Sequence, residues 1–209
     1  MYAKTLGLSF VGAIAFTSGT ALAAGIAGTD HDFSGEPWSG GDLCEVCHTP
    51  HNADVTTITG MPLWAHDTTT STFTVYTSPT FDGAGTIGQP SGASLACLSC
   101  HDGTVAIDSY SGRTGTDFMT GSAAVGTDLT DDHPISFDYT TALATTDGGL
   151  FDPSTTASGL TTSGTIDGDM LFSSQLQCAT CHDVHDKTYN FFLRMDNTGS
   201  ALCLTCHDK

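Results

Sequence analysis

Basic residues are nearly missing: the 209 residues hold 5 Lys and Arg against 23 Asp and Glu, a formal net charge of −18. A nucleic-acid surface needs clustered Lys and Arg, so that class of partner is excluded. The same imbalance keeps a monomer soluble and favours a basic partner, a metal cation or an oxidised mineral surface over an anionic membrane. Long apolar runs are also lacking beyond the first two dozen residues, so no later segment is long enough to span a bilayer. Helix-forming stretches are few. Gly accounts for 24 residues, and Thr, Ser and Asp dominate 67–78 and 140–169, which is poor material for long helices or a self-sufficient core. Neither Asp147-Gly148-Gly149 nor Asp167-Gly168-Asp169 has the full spacing of an EF-hand loop, so both read as turns. Asn197 is followed by Thr198-Gly199, which is not an N-glycosylation sequon.

The N-terminus is the one apolar stretch. Lys4, the run from Leu6 to Phe16 and the small residues Ala21-Leu22-Ala23 have the layout of a secretory signal peptide, 1–24. Interruption by Gly7, Ser9, Gly12, Thr17, Ser18 and Gly19 argues against a membrane anchor. The expected mature chain, 25–209, is one unit outside the cytoplasm. Loss of Lys4 makes it still more acidic.

What is present is a pattern repeated four times. It reads Cys44-Glu45-Val46-Cys47-His48, Cys97-Leu98-Ser99-Cys100-His101, Cys178-Ala179-Thr180-Cys181-His182 and Cys203-Leu204-Thr205-Cys206-His207. All 8 cysteines belong to it. With 9 His in the chain, the chance of His at a given place is roughly 4%, and of all four by accident about a few in a million. Eight cysteines in a secreted chain also suit four disulfides or two Cys₄ zinc sites, but neither explains the following histidines. Covalent haem c does. Two thiols three positions apart on one turn add to the two vinyl groups of one porphyrin, and the adjacent His comes beneath the ring as the proximal iron ligand. Four haem c groups per chain are expected, with installation after export, in keeping with the leader.

Five histidines remain for four sixth positions: His31, His51, His66, His133 and His185. The near-match implies bis-histidine ligation at every iron, which suits electron transfer and closes the site to substrates. No residue is therefore assigned a catalytic role, and no Cys-x-x-Cys-Lys motif of a multihaem reductase occurs. His51 and His185 each follow a proximal His by three residues. From there neither can reach the opposite face of its own iron, but each can reach a neighbouring haem. His133 precedes Pro134, which biases it to extended backbone. His66 follows Trp64, an aromatic able to pack on a porphyrin. His31 lies near the mature N-terminus, ahead of a Gly-, Pro- and Trp-containing linker at 34–42. Folding back and reaching a neighbouring molecule both remain open to it.

The order His31-Asp32-Phe33-Ser34, Cys44 to His51, Pro62-Leu63-Trp64, Cys97 to Gly103, Asp132-His133-Pro134-Ile135 and a closing pair of motifs from Cys178 to His207 resembles tetrahaem outer-surface c-type cytochromes of metal-respiring bacteria. Some of these polymerise into filaments that conduct electrons. The resemblance implies proximal ligation by His48, His101, His182 and His207 and distal ligation by His31, His51, His133 and His185, with His66 the spare. It also implies one distal His donated by the next subunit, for which His31 is the candidate and any of the other four the alternative. Implied partners are other cytochromes, further copies of the chain and an extracellular electron acceptor. A soluble periplasmic tetrahaem shuttle shares every motif, and a multihaem reductase is the rival from another class.

The expected fold is that of a multihaem cytochrome c: mostly irregular, with a core of stacked haems. Short helices are expected at the motifs, with Ser94 and Ser200 capping the second and fourth. The alternation Thr72-Phe73-Thr74-Val75-Tyr76 predicts a short strand. The long Thr-, Gly- and Asp-dense segment 102–177 reads as surface hairpins and loops. Phe191, Phe192, Leu193 and Met195 are expected to pack on the last two rings.

Overall fold

The computed structural model describes residues 25–58 and 60–208. The expected leader, 1–24, lies outside the described residues. Regular structure is sparse. Helices are α1 (Gly92–His101), α2 (Thr141–Asp147), α3 (Ile166–Asp169), α4 (Cys178–Cys181) and α5 (Ala201–Cys206), and the two strands are β1 (Phe137–Asp138) and β2 (Gln175–Leu176). Short 3₁₀ turns and loops make up most of the remainder, as composition predicts. Among the described residues no helix is long and apolar enough to cross a membrane.

Three of the four motifs sit on helices. The first is a turn, in which Cys47 and His48 both donate backbone N–H to the Cys44 carbonyl at 3.1 and 2.8 Å. Asp42 holds that turn by accepting from the Cys44 and Glu45 amides at 2.7 and 2.8 Å. Ser200 does occupy the cap position of α5, although its side chain makes no capping bond. Ser94 does not cap. The cap of α1 is Ser91, and Ser94 is buried inside the helix. There its hydroxyl accepts from the Cys178 amide at 2.9 Å while its own amide donates to Gln177 Oε1 at 3.2 Å. Gln177, 2% exposed, also takes the Ser136 hydroxyl on Oε1. A buried amide costs little when fully bonded, and here it fastens α1, α4 and the approach to β1 to one another.

Protein side chains form three small clusters. The largest contains Phe137, Tyr139, Ala144, Ile166, Met170, Leu171, Leu176, Leu202 and Cys206. Seven of these nine residues come from within 102–177, so this segment is not merely surface hairpins. It is the platform of the fourth motif. Tyr139 Oη donates to the Phe151 and Cys206 carbonyls at 2.7 and 3.3 Å, and the Phe151 amide donates to Cys206 at 2.9 Å. The antiparallel pair β1–β2, with Phe137 opposite Leu176, leads directly into α4. A second cluster of Ile58, Trp64 and Ala96 takes in Cys47 and Leu95 and joins the first two motifs. The third unites Phe73, Leu98 and Leu129.

The strand predicted at 72–76 is reduced to one bridge, Thr74 to Asp128. Its ladder stops because the Gln89 side chain occupies both backbone groups of Phe73, at 2.8 and 2.9 Å.

Asp108, 4% exposed, organises the loop after α1. Its Oδ1 accepts from the Thr116 and Asp117 amides at 2.8 and 2.9 Å, and Arg113 approaches Oδ2 at 3.4 Å. A methyl on Gly115 would overlap that carboxylate. Gly115→Ala should therefore leave the buried carboxylate short of donors and cost about 1–3 kcal/mol, read as a lower denaturation midpoint with unchanged motif chemistry.

Candidate functional site

The site is built from the four turns that end in histidine. In the first, third and fourth motifs the His amide bonds the carbonyl of the first Cys, at 2.8, 3.1 and 3.0 Å for His48, His182 and His207. This turn brings both thiols to one side and sets the imidazole directly after them. Three of the rings are then fixed by segments remote in sequence. His48 Nδ1 meets the Pro62 carbonyl at 2.7 Å, His101 Nδ1 that of Ala123 at 2.7 Å, and His182 Nδ1 that of Phe191 at 2.8 Å. A carbonyl only accepts, so Nδ1 carries the proton and Nε2 is left with a free lone pair. This is how metal-binding histidines are oriented by an outer shell.

None of the eight thiols is in a disulfide. Nor do three or more His, Cys, Asp or Glu converge as a metal cage among the described residues, which a Cys₄ zinc site would require. Burial pushes the Cys47 and Cys181 thiols up to about 11, and burial together with Cys47 pushes Cys100 higher, whereas a hydrogen bond with Cys97 lowers Cys178 to about 7. The motifs follow one another in chain order. Cys47 is within electrostatic reach of Cys100, Cys97 of Cys178, and Cys181 of Cys203 and Cys206.

Opposite three of the four motif histidines stands a second imidazole. His48 and His185 have ring centres 6.2 Å apart, His101 and His31 5.9 Å, and His207 and His133 6.3 Å. An imidazole nitrogen binds a first-row metal at about 2.0–2.1 Å and the ring centre lies roughly 1.1 Å further back, so two imidazoles across one ion have centres about 6.3 Å apart. The donor set therefore fits a haem iron at each pair. The rings are too far apart to bond one another.

These pairings sort the nine histidines. His185 faces the motif histidine of a different turn, as its offset of three requires. His31 is folded back against His101 of its own chain rather than extended as an arm to a neighbour. Burial, then His101, lowers its pKa and keeps it neutral. His66 is 3% exposed, with Nδ1 2.7 Å from the Asp67 carbonyl and Nε2 3.0 Å from the Ala106 carbonyl and 3.4 Å from the Cys100 thiol, and no motif histidine ring lies against it among the described residues. His182 and His51 have no second histidine ring against them among the described residues, and His51 is exposed.

Sequence reading missed the carbonyls that orient the rings, since backbone acceptors leave no side-chain signature. Phe191 is 82% exposed, and Phe192 packs on His31 with ring centres 4.9 Å apart; only Leu193 and Met195 join the largest cluster. Phe191 and Phe192 both have positive φ, 58° and 57°, a costly conformation for bulky residues. It turns the Phe191 carbonyl towards His182.

Residues 171–209 match the family described as the doubled CXXCH motif. No curated protein matches the chain. CXXCH motifs imply covalently bound c-type haem and electron transfer, and the matched region has the doubled arrangement of a c-type cytochrome.

Gly25 lies so close to the His185 carbonyl that a Cβ there would overlap it, and Lys187 Nζ donates to the Ala27 carbonyl two residues on. The N-terminal arm that carries His31 is thus bound to the loop that carries His185. Gly25→Ala should release both, seen as faster amide exchange across 26–33 and 183–187 with the α4 and α5 amides unaffected.

Proposed function

We propose that the chain carries four haem c groups, one per motif, and conducts electrons along them as a subunit of a filament of identical chains at the cell surface. The observation that carries this reading is the set of three imidazole pairs at 5.9–6.3 Å. Covalently bound haem supplies one-electron redox chemistry.

The chain's residues do the rest. Cys44 and Cys47, Cys97 and Cys100, Cys178 and Cys181, and Cys203 and Cys206 would anchor the rings. His48, His101, His182 and His207 would be proximal ligands, while His185, His31 and His133 would close the first, second and fourth sites from the same chain. Closed sites exclude substrates and hold the ligand set constant as the charge on the iron changes, which suits transfer rather than catalysis. The electrostatic reach of Cys47 to Cys100, Cys97 to Cys178 and Cys181 to Cys203 supports neighbouring motifs in chain order.

Polymerisation answers the unequal third site. Among the described residues His182 has no second imidazole against it and His51 is exposed, so His51 of one copy is assigned to His182 of the next. This replaces His31 as the donor across an interface. The leader expected at 1–24 and the acidic composition support a location outside the cell, facing a cationic or mineral acceptor. Repulsion between chains of net charge −18 must be overcome on assembly, so salt should lengthen filaments.

The same unequal site favours one rival, in which the third iron stays open and binds a small ligand as a reductase would. His51→Ala separates the two. Wild-type protein should form filaments in negative stain and show only low-spin haem by electron paramagnetic resonance. The variant should be monomeric, with about one haem in four high-spin. Uniformly monomeric wild type with all four irons six-coordinate would remove the filament, and wild type with a high-spin quarter would support the reductase.

A further inference from the structure

Three buried side-chain polar atoms have no hydrogen-bond partner among the described residues: His31 Nδ1, Trp64 Nε1 and Arg194 Nη1. Each is a nitrogen in a chain dominated by carboxylates. Trp64 Nε1 and Arg194 Nη1 can only donate, so the absent partners of these two are acceptors, and acceptors are what this protein has in excess.

Trp64 is 5% exposed. Its ring stands edge-on to His48, centres 6.5 Å apart, and shares a cluster with Cys47. The carboxylate adjoining its strand bridge is Asp54, which is turned to its own loop and accepts from the Thr56 and Thr57 amides at 2.8 and 2.9 Å. Arg194 is held beside the third motif by its amide, which donates to the Cys181 carbonyl at 3.0 Å. The carboxylate its charge reaches is Asp169, which is bonded to Ser158 and to Thr161, the latter at 2.8 Å, and makes no ion pair with it. Both donors thus sit at a motif, sealed from solvent, with the neighbouring carboxylate committed elsewhere. An unsatisfied buried donor is costly, and more so when charged.

We propose that Trp64 Nε1 and Arg194 are the carboxylate-binding residues of the haem sites: Trp64 takes a porphyrin carboxylate beside the first motif, and Arg194 one at the junction of the third and fourth. The inference rests on the haem reading above. Each haem brings two carboxylates, the anionic acceptor these nitrogens lack. Arg194 is one of only 5 basic residues, and its placement inside the haem region rather than on the surface gives its charge a use there. A fixed cation beside a haem disfavours the oxidised, more positive state, so Arg194 is a positioning residue that also raises one potential.

The test is a spectropotentiometric titration of the haem-loaded protein with Trp64→Phe, Arg194→Met and Arg194→Lys, together with redox-difference infrared spectra of the carboxylates. Covalent haem is counted first in every sample. Arg194→Met should shift one haem of the set to lower potential by about tenfold in its equilibrium constant, 59 mV for one electron. Arg194→Lys should recover most of that shift. Trp64→Phe, which keeps the ring, should move a haem carboxylate band with little change in potential. If four haems are attached and all potentials and carboxylate bands match wild type, these nitrogens bind only water and the inference is overturned. Fewer than four haems in the wild type would instead refute the haem reading itself.

Discussion

The structure depends on one constraint: an imidazole delivered by a cysteine-paired turn must face a second imidazole with room for one metal ion between them. Three pairs meet it, at 6.2, 5.9 and 6.3 Å. Much of the remaining architecture holds one or other member of a pair. Pro62, Ala123 and Phe191 lend carbonyls to the motif rings, and Asp183 and Pro134 orient His185 and His133. The 102–177 segment, apart from any loop function, builds the cluster on which α5 rests.

Such a plan explains the shortage of regular structure. Each motif needs only one turn to set two thiols and a ring. The partner ring then has to arrive from a distant stretch of chain at a chosen angle, which loops do more freely than helices or ladders. Stability comes from small clusters and from buried polar links such as Ser94, Gln177 and Ser136 rather than from one large core. In the proposed assembly the porphyrins add the missing apolar mass.

The chemistry of the site was more legible in the sequence than the fold. Four CXXCH motifs are local patterns whose spacing is imposed by the porphyrin, so they can be read directly. His66 carries no motif of its own, and its burial against the Ala106 carbonyl and the Cys100 thiol has no local sequence signature. Pairing could not be read, because His31, His133 and His185 reach their partners through tertiary contacts without periodicity. The platform in 102–177 was hidden for a similar reason. Phe137, Tyr139, Ile166, Met170 and Leu176 sit in short, irregular elements, so their convergence leaves no helical or alternating pattern. Ser94 misled for a different reason: a residue type that favours caps was used inside a helix to join it to another.

The central claim is that every iron lies between two histidines, three within the chain and one between chains. Near-infrared magnetic circular dichroism of the fully oxidised native assembly, combined with a count of covalent haem, tests it most directly because that spectrum identifies both axial ligands of low-spin ferric haem. The account predicts four haems per chain, all with the bis-histidine signature. A histidine–methionine signature, or a bis-histidine intensity equal to fewer than four haems in the intact assembly, would contradict it.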